Sequence, residues 1–244
     1  MGEPAPISLE EINAIAELAV RVDRKYIVTP EQVAALVADA PRDVRMLEID
    51  GRRAFDYESV YFDTVDFSLY LDTARRRRQR YKVRSRVYVN SGVAMLEVKT
   101  KGGRGTTIKQ RIEYDIDDAG RLTDEAKDFV VAAVGREGAA DHLRPTLTTR
   151  YQRSTYVDPE SGARLTSDAG LSCTDWRGEA VVLDQVVLET KSPGRPSWFD
   201  RWLWADGVRP LKLSKFCTGL AALHPELPAN KWHRTLQQHF DRSA

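Results

Sequence analysis

The sequence predicts an α+β fold in which antiparallel strands dominate, and three observations carry that reading. Runs with a two-residue period recur along the chain, mostly bounded by Gly, Asn, Asp or Pro. Short segments with apolar residues at helical spacing lie between them. Several of the strand-like runs also carry their charge on one face and their apolar residues on the other.

The elements follow in order. Ser8-Leu9-Glu10-Glu11 has capping-box spacing, and Ile12, Ile15, Leu18 and Ala19 recur at helical intervals, so the chain opens on an amphipathic helix. Residues 20–28 alternate, with Val22 and Tyr26 on one side and Arg21, Asp23 and Lys25 on the other, which predicts a strand. Thr29-Pro30-Glu31-Gln32 then starts a short helix. Further strands are expected over 58–63, 80–89, 93–101, 106–115, 147–157, 163–168 and 181–191. Helices are expected over 123–134, 197–205, 215–223 and a polar stretch at 232–240. Residues 135–142, rich in Gly and Ala, read as a loop tip. No linker, low-complexity tract or long repeat interrupts the pattern, so residues 1–244 are expected to form one domain.

Composition limits the function classes. With 37 Lys+Arg against 36 Asp+Glu the formal net charge is +1, so any attraction to polyanions is local. A hydrophobic content of 42% supports a packed core rather than disorder. Cys173 and Cys217 are far apart and have no His or Cys nearby, which argues against a disulfide framework or a zinc site. No apolar run approaches the roughly 20 residues of a membrane helix, and the start lacks a basic-then-apolar leader. The expectation is a soluble cytoplasmic protein.

The charge pattern is the most specific signal. Arg80, Lys82, Arg84 and Arg86 fall on one face of a strand, as do Glu97, Lys99 and Lys101; Lys109, Arg111 and Glu113; and Glu189 and Lys191. Leu96 and Val98, Ile108 and Ile112, and Val186 and Leu188 occupy the opposing faces, where helices are expected to cover them. Gathering cations on a sheet face is costly, and a multiply charged anion offsets the repulsion. One such strand is explained by a solvated face. Five, counting Arg21, Asp23 and Lys25 of the first strand and with the tetrad Leu-Glu-x-Lys on two of them at Leu96 and Leu188, favour a sheet curled around a polar lumen, with cross-strand ion pairs on an open sheet as the alternative.

A series of motifs runs in order along the chain: Arg24-Lys25-Tyr26, Tyr61-Phe62-Asp63-Thr64, the basic strand from Lys82 to Tyr88, Leu96-Glu97-Val98-Lys99 and Lys109-Gln110-Arg111. It continues through Arg150-Tyr151-x-Arg153, Arg164-Leu165-Thr166-Ser167-Asp168, Leu188-Glu189-Thr190-Lys191 and Lys212-Leu213-Ser214-Lys215. On these residues the chain resembles the VTC (vacuolar transporter chaperone) polyphosphate polymerase domain of the triphosphate tunnel metalloenzyme superfamily. The resemblance implies an antiparallel β-barrel of about eight strands, a triphosphate tunnel with helices on its outer face. It implies phosphate contacts at Lys25, Arg84, Arg86, Lys99 and Lys109, with Arg111, Arg150, Arg164, Lys191, Lys212 and Lys215 as further substrate-binding residues. Glu189 is implied as the carboxylate for a divalent metal, Mn or Mg, with Glu97 as a second acid. The activity implied is polyphosphate synthesis from ATP or another nucleoside triphosphate. A triphosphate hydrolase of the same fold and a non-catalytic polyphosphate binder are the alternatives. Where triphosphatase branches carry Glu-x-Glu-x-Lys, this chain has Arg21-Val22-Asp23-Arg24-Lys25, which favours the polymerase branch. Coupling synthesis to translocation would need a separate membrane protein partner.

The remaining motifs are read more plainly. Arg75 to Arg78 is a solvated turn before the basic strand, and nucleic acid is not favoured, because Tyr81 and Tyr88 lie on opposite strand faces and no RNA- or DNA-binding motif accompanies them. Trp198, Phe199, Trp202 and Trp204 crowd one short helix and are expected to pack. Gly102-Gly103-Arg104-Gly105 reads as a hairpin loop, and no His is given a role.

Overall fold

The structure, a computed structural model, describes residues 3–15, 21–101 and 107–240. The predicted helical positions Leu18 and Ala19 and the Gly102 to Gly105 loop lie outside the described residues. The chain divides into two compact units, Met1–Phe55 with Tyr151–Leu171 and Leu183–Leu213, and Asp56–Arg150 with Ser172–Val182 and Ser214–Ala244.

The first unit holds β1 (Ala5–Ile7), α1 (Leu9–Ile15), β2 (Val22–Val28), α2 (Pro30–Ala38), β3 (Arg45–Leu47), most of β9 (Ala163–Asp175), the second half of β8 (Arg144–Asp158), β11 (Val186–Ser192) and α5 (Trp198–Ala205). Its strands run in the order β2-β11-β9-β8, and β3 pairs antiparallel with β8 while β1 adds a short parallel ladder to β3. The predicted first capping box is present, with Ser8 N–H on Glu11 Oε2 and Glu11 N–H on Ser8 Oγ, and α2 has its own at Thr29 and Gln32. The apolar strand face, including Tyr26, Val28, Leu165 and Leu188, packs under Leu36 of α2 and Phe199 and Leu203 of α5. Trp198, Trp202 and Trp204 border this core, as expected of a packed helix. Truncating one of these buried residues to Ala costs about 2–5 kcal/mol.

The second unit is built on the meander β4 (Phe55–Asp63), β5 (Tyr81–Tyr88), β6 (Val93–Lys101) and β7 (Thr107–Tyr114). Around it lie α3 (Ser68–Ala74), α4 (Asp124–Val134), α6 (Lys215–Leu223), α7 (His233–His239) and most of β10 (Ala180–Leu183). Val60, Phe62, Val83, Leu96 and Val98 pack against Ala126 and Val130 of α4 and Leu69 of α3. The expected apolar back of the charged strands is present, except at Ile108, which is 51% exposed because this core ends at Ile112. Within each unit the four-strand path is open among the described residues, rather than closing on itself.

Several elements differ from the sequence reading. The strand expected over 181–191 is two strands, broken at Asp184-Gln185, with β10 on β9 and β11 between β2 and β9. The stretch 135–142 is a run of turns and mostly exposed, as expected of a loop, but it is anchored: Ala139 and Ala140 are buried in the α4 core, and the Tyr81 hydroxyl donates to Ala139 O at 2.7 Å. Helix α3 was not expected, because its cap comes from Asp63, whose carboxylate accepts from Leu69 N and Tyr70 N at 2.9 Å each. Cys173 and Cys217 are buried free thiols. No helix among the described residues is long and apolar enough to cross a membrane.

Candidate functional site

Two charged faces arise, one in each unit, and each is fixed by strand register. In the second unit, antiparallel pairing lines up Tyr61, Arg84, Glu97 and Arg111 across β4 to β7. Beside that row run Lys82, Lys99 and Lys109, and on its other side Ser59, Arg86, Met95 and Glu113. Directly paired residues share a face, so Arg84, Arg86, Lys99, Lys109 and Arg111 come together on one side of the sheet. Arg80 does not join them: it precedes β5 and its guanidinium donates to the Arg77 carbonyl. Arg75 to Arg78 are exposed, as the sequence suggested.

Glu97 is the centre of this face. Only 2% of its side chain is exposed; Arg84 Nε donates to Oε2 at 2.7 Å, and Lys109 is paired with Oε1. Burial alone would raise its pKa, but Arg84, Arg86 and Lys109 outweigh it and hold the carboxyl at about 2. Burial lowers the Lys109 ammonium in spite of Glu97. Arg86, 7% exposed, donates to Ser59 Oγ at 3.2 Å and lies over the Tyr57 ring. Lys82 donates to Ser214 Oγ at 2.8 Å, the residue that caps α6 beside Lys215.

Tyr61 belongs to this face and was not counted among the predicted site residues. Its hydroxyl accepts from Arg84 Nη1 at 2.9 Å and its ring stacks on Phe216 at 5.0 Å. Burial would raise the phenol, but Arg84, Arg86 and Lys215 together lower it. The signal was available, since Tyr61 alternates with the core residues Val60 and Phe62.

In the first unit the register pairs Glu189 with Lys25 on one side and Thr166 on the other, and Lys191 with Asp23 and Arg164. Lys25 Nζ is 3.7 Å and Lys191 Nζ 3.4 Å from the Glu189 carboxylate. Burial, helped by Arg164 and Arg153, pushes the Lys191 ammonium down to about 8 in spite of Glu189. Burial also lowers Arg164, whose Nε is enclosed without a hydrogen-bond acceptor. Arg153 forks onto Asp168 at 2.6 and 2.8 Å. Lys212 is exposed and follows Leu211, whose N–H donates to Lys25 O at 2.9 Å.

Behind this face Asp200 of α5 is fully buried and ties the strands together. It accepts from Tyr26 Oη at 2.7 Å, Thr190 Oγ1 at 2.6 Å and Ser197 N at 2.7 Å. Tyr26 and Thr190 adjoin Lys25 and Glu189, so this network supports their pairing from the apolar side.

Arg150 departs from expectation. It donates to Glu58 at 2.7 Å, and Glu58 shares its strand face with Val60 and Phe62, opposite Arg84 and Arg86. Arg153, three residues on and of the other parity, is the β8 arginine that meets an acid of the charged strands. Among the described residues no group of three or more His, Cys, Asp or Glu is placed to hold a metal.

The VTC domain family model matches residues 20–224. No curated protein sequence matches the chain. Among solved structures, HpAC1 from Hippeastrum, a protein reported to have a dominant triphosphatase activity, superposes with a TM-score of 0.53 at 16% identity over 87% of this chain and 100% of its own. The PH1012 protein from Pyrococcus horikoshii OT3 gives 0.42 at 12% identity over 81% of this chain and 99% of its own. A conserved hypothetical protein from Pyrococcus furiosus gives 0.44 at 13% over 81% and 99%. The fold is of the triphosphate tunnel type, α+β with mostly antiparallel strands.

Proposed function

The chain belongs to the VTC domain family, and from that premise we propose that it is a metal-dependent phosphotransferase that lengthens polyphosphate from a nucleoside triphosphate. The observation that supports this best is the second unit's face, where six cations (Lys82, Arg84, Arg86, Lys99, Lys109 and Arg111) line up across neighbouring strands around one committed acid, Glu97. A phosphoryl group moving through a loose, in-line transition state needs charge neutralisation and alignment rather than a protein nucleophile, and such a face supplies both. Arg84 and Arg86 offer planar forks to phosphate oxygens, and Lys99 and Lys109 offer point charges. Lys25, Arg111, Arg164, Lys191, Lys212 and Lys215 are assigned to further phosphate oxygens. Arg150 is left as a structural partner of Glu58.

The donor set fits a hard divalent cation, Mn or Mg, that is shared with substrate. Glu189 offers one carboxylate at ion-pair distances of 3.4 and 3.7 Å, and phosphate oxygens and water complete such a site. The cation would neutralise charge on the transferring phosphates. Glu97 fits less well, since both of its oxygens serve cations.

The triphosphatase activity reported for HpAC1 favours a second reading, hydrolysis at the same residues. Incubating the purified chain with ATP and Mn²⁺ and assaying polymer and free phosphate separates the two. Polymer is the expected product; free phosphate alone overturns synthesis in favour of hydrolysis, and tripolyphosphate binding with neither product makes the chain a binder. Glu189→Gln is expected to lower turnover at least ~100-fold while changing tripolyphosphate affinity in EDTA less than about threefold.

A further inference from the structure

Arg84 is held from two strands at once. On β6, Glu97 Oε2 lies 2.7 Å from Nε and 2.5 Å from Nη2; on β4, the Tyr61 hydroxyl accepts from Nη1 at 2.9 Å. Both residues are in direct register with Arg84, so the contacts are made straight across the ladder. Each holder is itself fixed. Tyr61 is 6% exposed and stacks on Phe216 with an interplanar angle of 19°. Glu97 is 2% exposed, and its other oxygen carries Lys109.

Three contacts at three different nitrogens set both the plane and the rotation of the guanidinium. A guanidinium so fixed presents its planar fork in one orientation, the geometry in which arginine meets a tetrahedral oxyanion in a bidentate contact. An arginine fixed before its ligand arrives loses less rotamer entropy on binding than one that must be ordered by it. Nothing about packing requires the Tyr61 oxygen: a phenylalanine would stack on Phe216 equally well. The hydroxyl is a buried polar group that accepts from a cation of the charged face.

We propose that Tyr61 and Glu97 are positioning residues that hold Arg84, and through Glu97 also Lys109, in the orientation that receives phosphate, and that Glu97 serves these cations rather than a metal ion. This rests on the reading that the face binds phosphate, and the test separates the two.

Tripolyphosphate binding to the full chain, measured by calorimetry in EDTA and again with Mn²⁺, gives the readout. Tyr61→Phe keeps the ring and the net charge and is expected to weaken binding about threefold to tenfold, the loss of one hydrogen bond to a charged group. In an Arg84→Ala background the same substitution is expected to have no further effect, a non-additivity that a general structural role would not produce. Glu97→Gln is expected to leave the Mn²⁺-dependent gain in affinity within twofold of the unaltered chain. If Arg84→Ala alone leaves binding intact, the phosphate reading itself fails. If Arg84→Ala weakens binding but Tyr61→Phe does not, or costs the same in both backgrounds, the positioning role is overturned. Loss of the Mn²⁺-dependent gain in Glu97→Gln would make Glu97 a metal ligand; should that variant not fold, the Tyr61 cycle decides alone.

Discussion

The tetrad Leu-Glu-x-Lys occurs once in each unit and meets two different fates. Leu96 and Leu188 are both fully buried behind their strands, so the backbone presents Glu97 and Glu189 alike. Around Glu97, cations close in at charge-assisted hydrogen-bond distance, and 2% of the side chain is exposed. Around Glu189 the two lysines stand at 3.4 and 3.7 Å, and 16% is exposed. A carboxylate engaged tightly on both oxygens is part of the protein's own charge balance. One with longer ion pairs exchanges them for a metal or a substrate-bound cation at lower cost. The same local sequence therefore serves as a structural anion in one unit and fits a ligand-exchanging one in the other.

The largest contrast should appear in stability. Glu97→Ala leaves Arg84 and Lys109 facing each other without their anion and is expected to cost about 2–3 kcal/mol, below the usual figure for a buried pair because Lys109 is 43% exposed. Glu189→Ala is expected to cost about 1 kcal/mol or less. Urea denaturation reads both, and equal losses would erase the distinction. The acid limb sharpens it. With the Glu97 carboxyl at about 2 in the fold and 4.5 as its ordinary value, its contribution is complete above the higher value and is lost as pH falls towards the lower. Thermal melts of Glu97→Gln are expected to lack that loss.

A smaller effect is expected at alkaline pH, centred on Lys191 of the first unit. Lys191 gives up its proton near pH 8 against an ordinary 10.5, so tripolyphosphate affinity is expected to fall severalfold as pH rises through 8. Folding stability should move the other way, rising between those two values, because the unfolded chain binds the additional proton there. Lys191→Arg should flatten both profiles; an affinity curve that keeps its inflection in this variant would remove Lys191 from phosphate binding.

The smallest effect is expected at Arg150. Its pair with Glu58 lies on the side away from Arg84, so Arg150→Ala should leave tripolyphosphate affinity within twofold and stability within ~0.5 kcal/mol. A tenfold loss of affinity would return Arg150 to the phosphate contacts.

Much of this was legible in the sequence, for reasons that differ by element. The capping residues Ser8, Thr29, Thr123 and Ser197 marked helix starts because each satisfies its own neighbours' N–H groups. Helix α3 was illegible because its capping acid, Asp63, reaches it from the end of the preceding strand. The burial of Ala139 and Ala140 within their loop was illegible because small side chains reveal nothing about the α4 core that covers them. Arg153 was passed over for Arg150, although Tyr151 and Arg153 share a strand parity that Arg150 does not.

What the sequence determined by itself is which side chains share a face, because the pleat has a fixed period of two and every charge in Lys82 to Arg86 or Glu97 to Lys101 follows from it. What only the tertiary structure decided is who stands opposite whom. Lys25 meets Glu189 across a ladder whose strands are far apart in the chain, and Arg84 meets Glu97 and Tyr61 on two different neighbours. Register is set by long-range burial of the apolar faces, through Tyr26 and Leu188 in one unit and Val83 and Leu96 in the other. That burial fixes the distances separating a carboxylate locked onto arginine from one paired at longer range with two lysines.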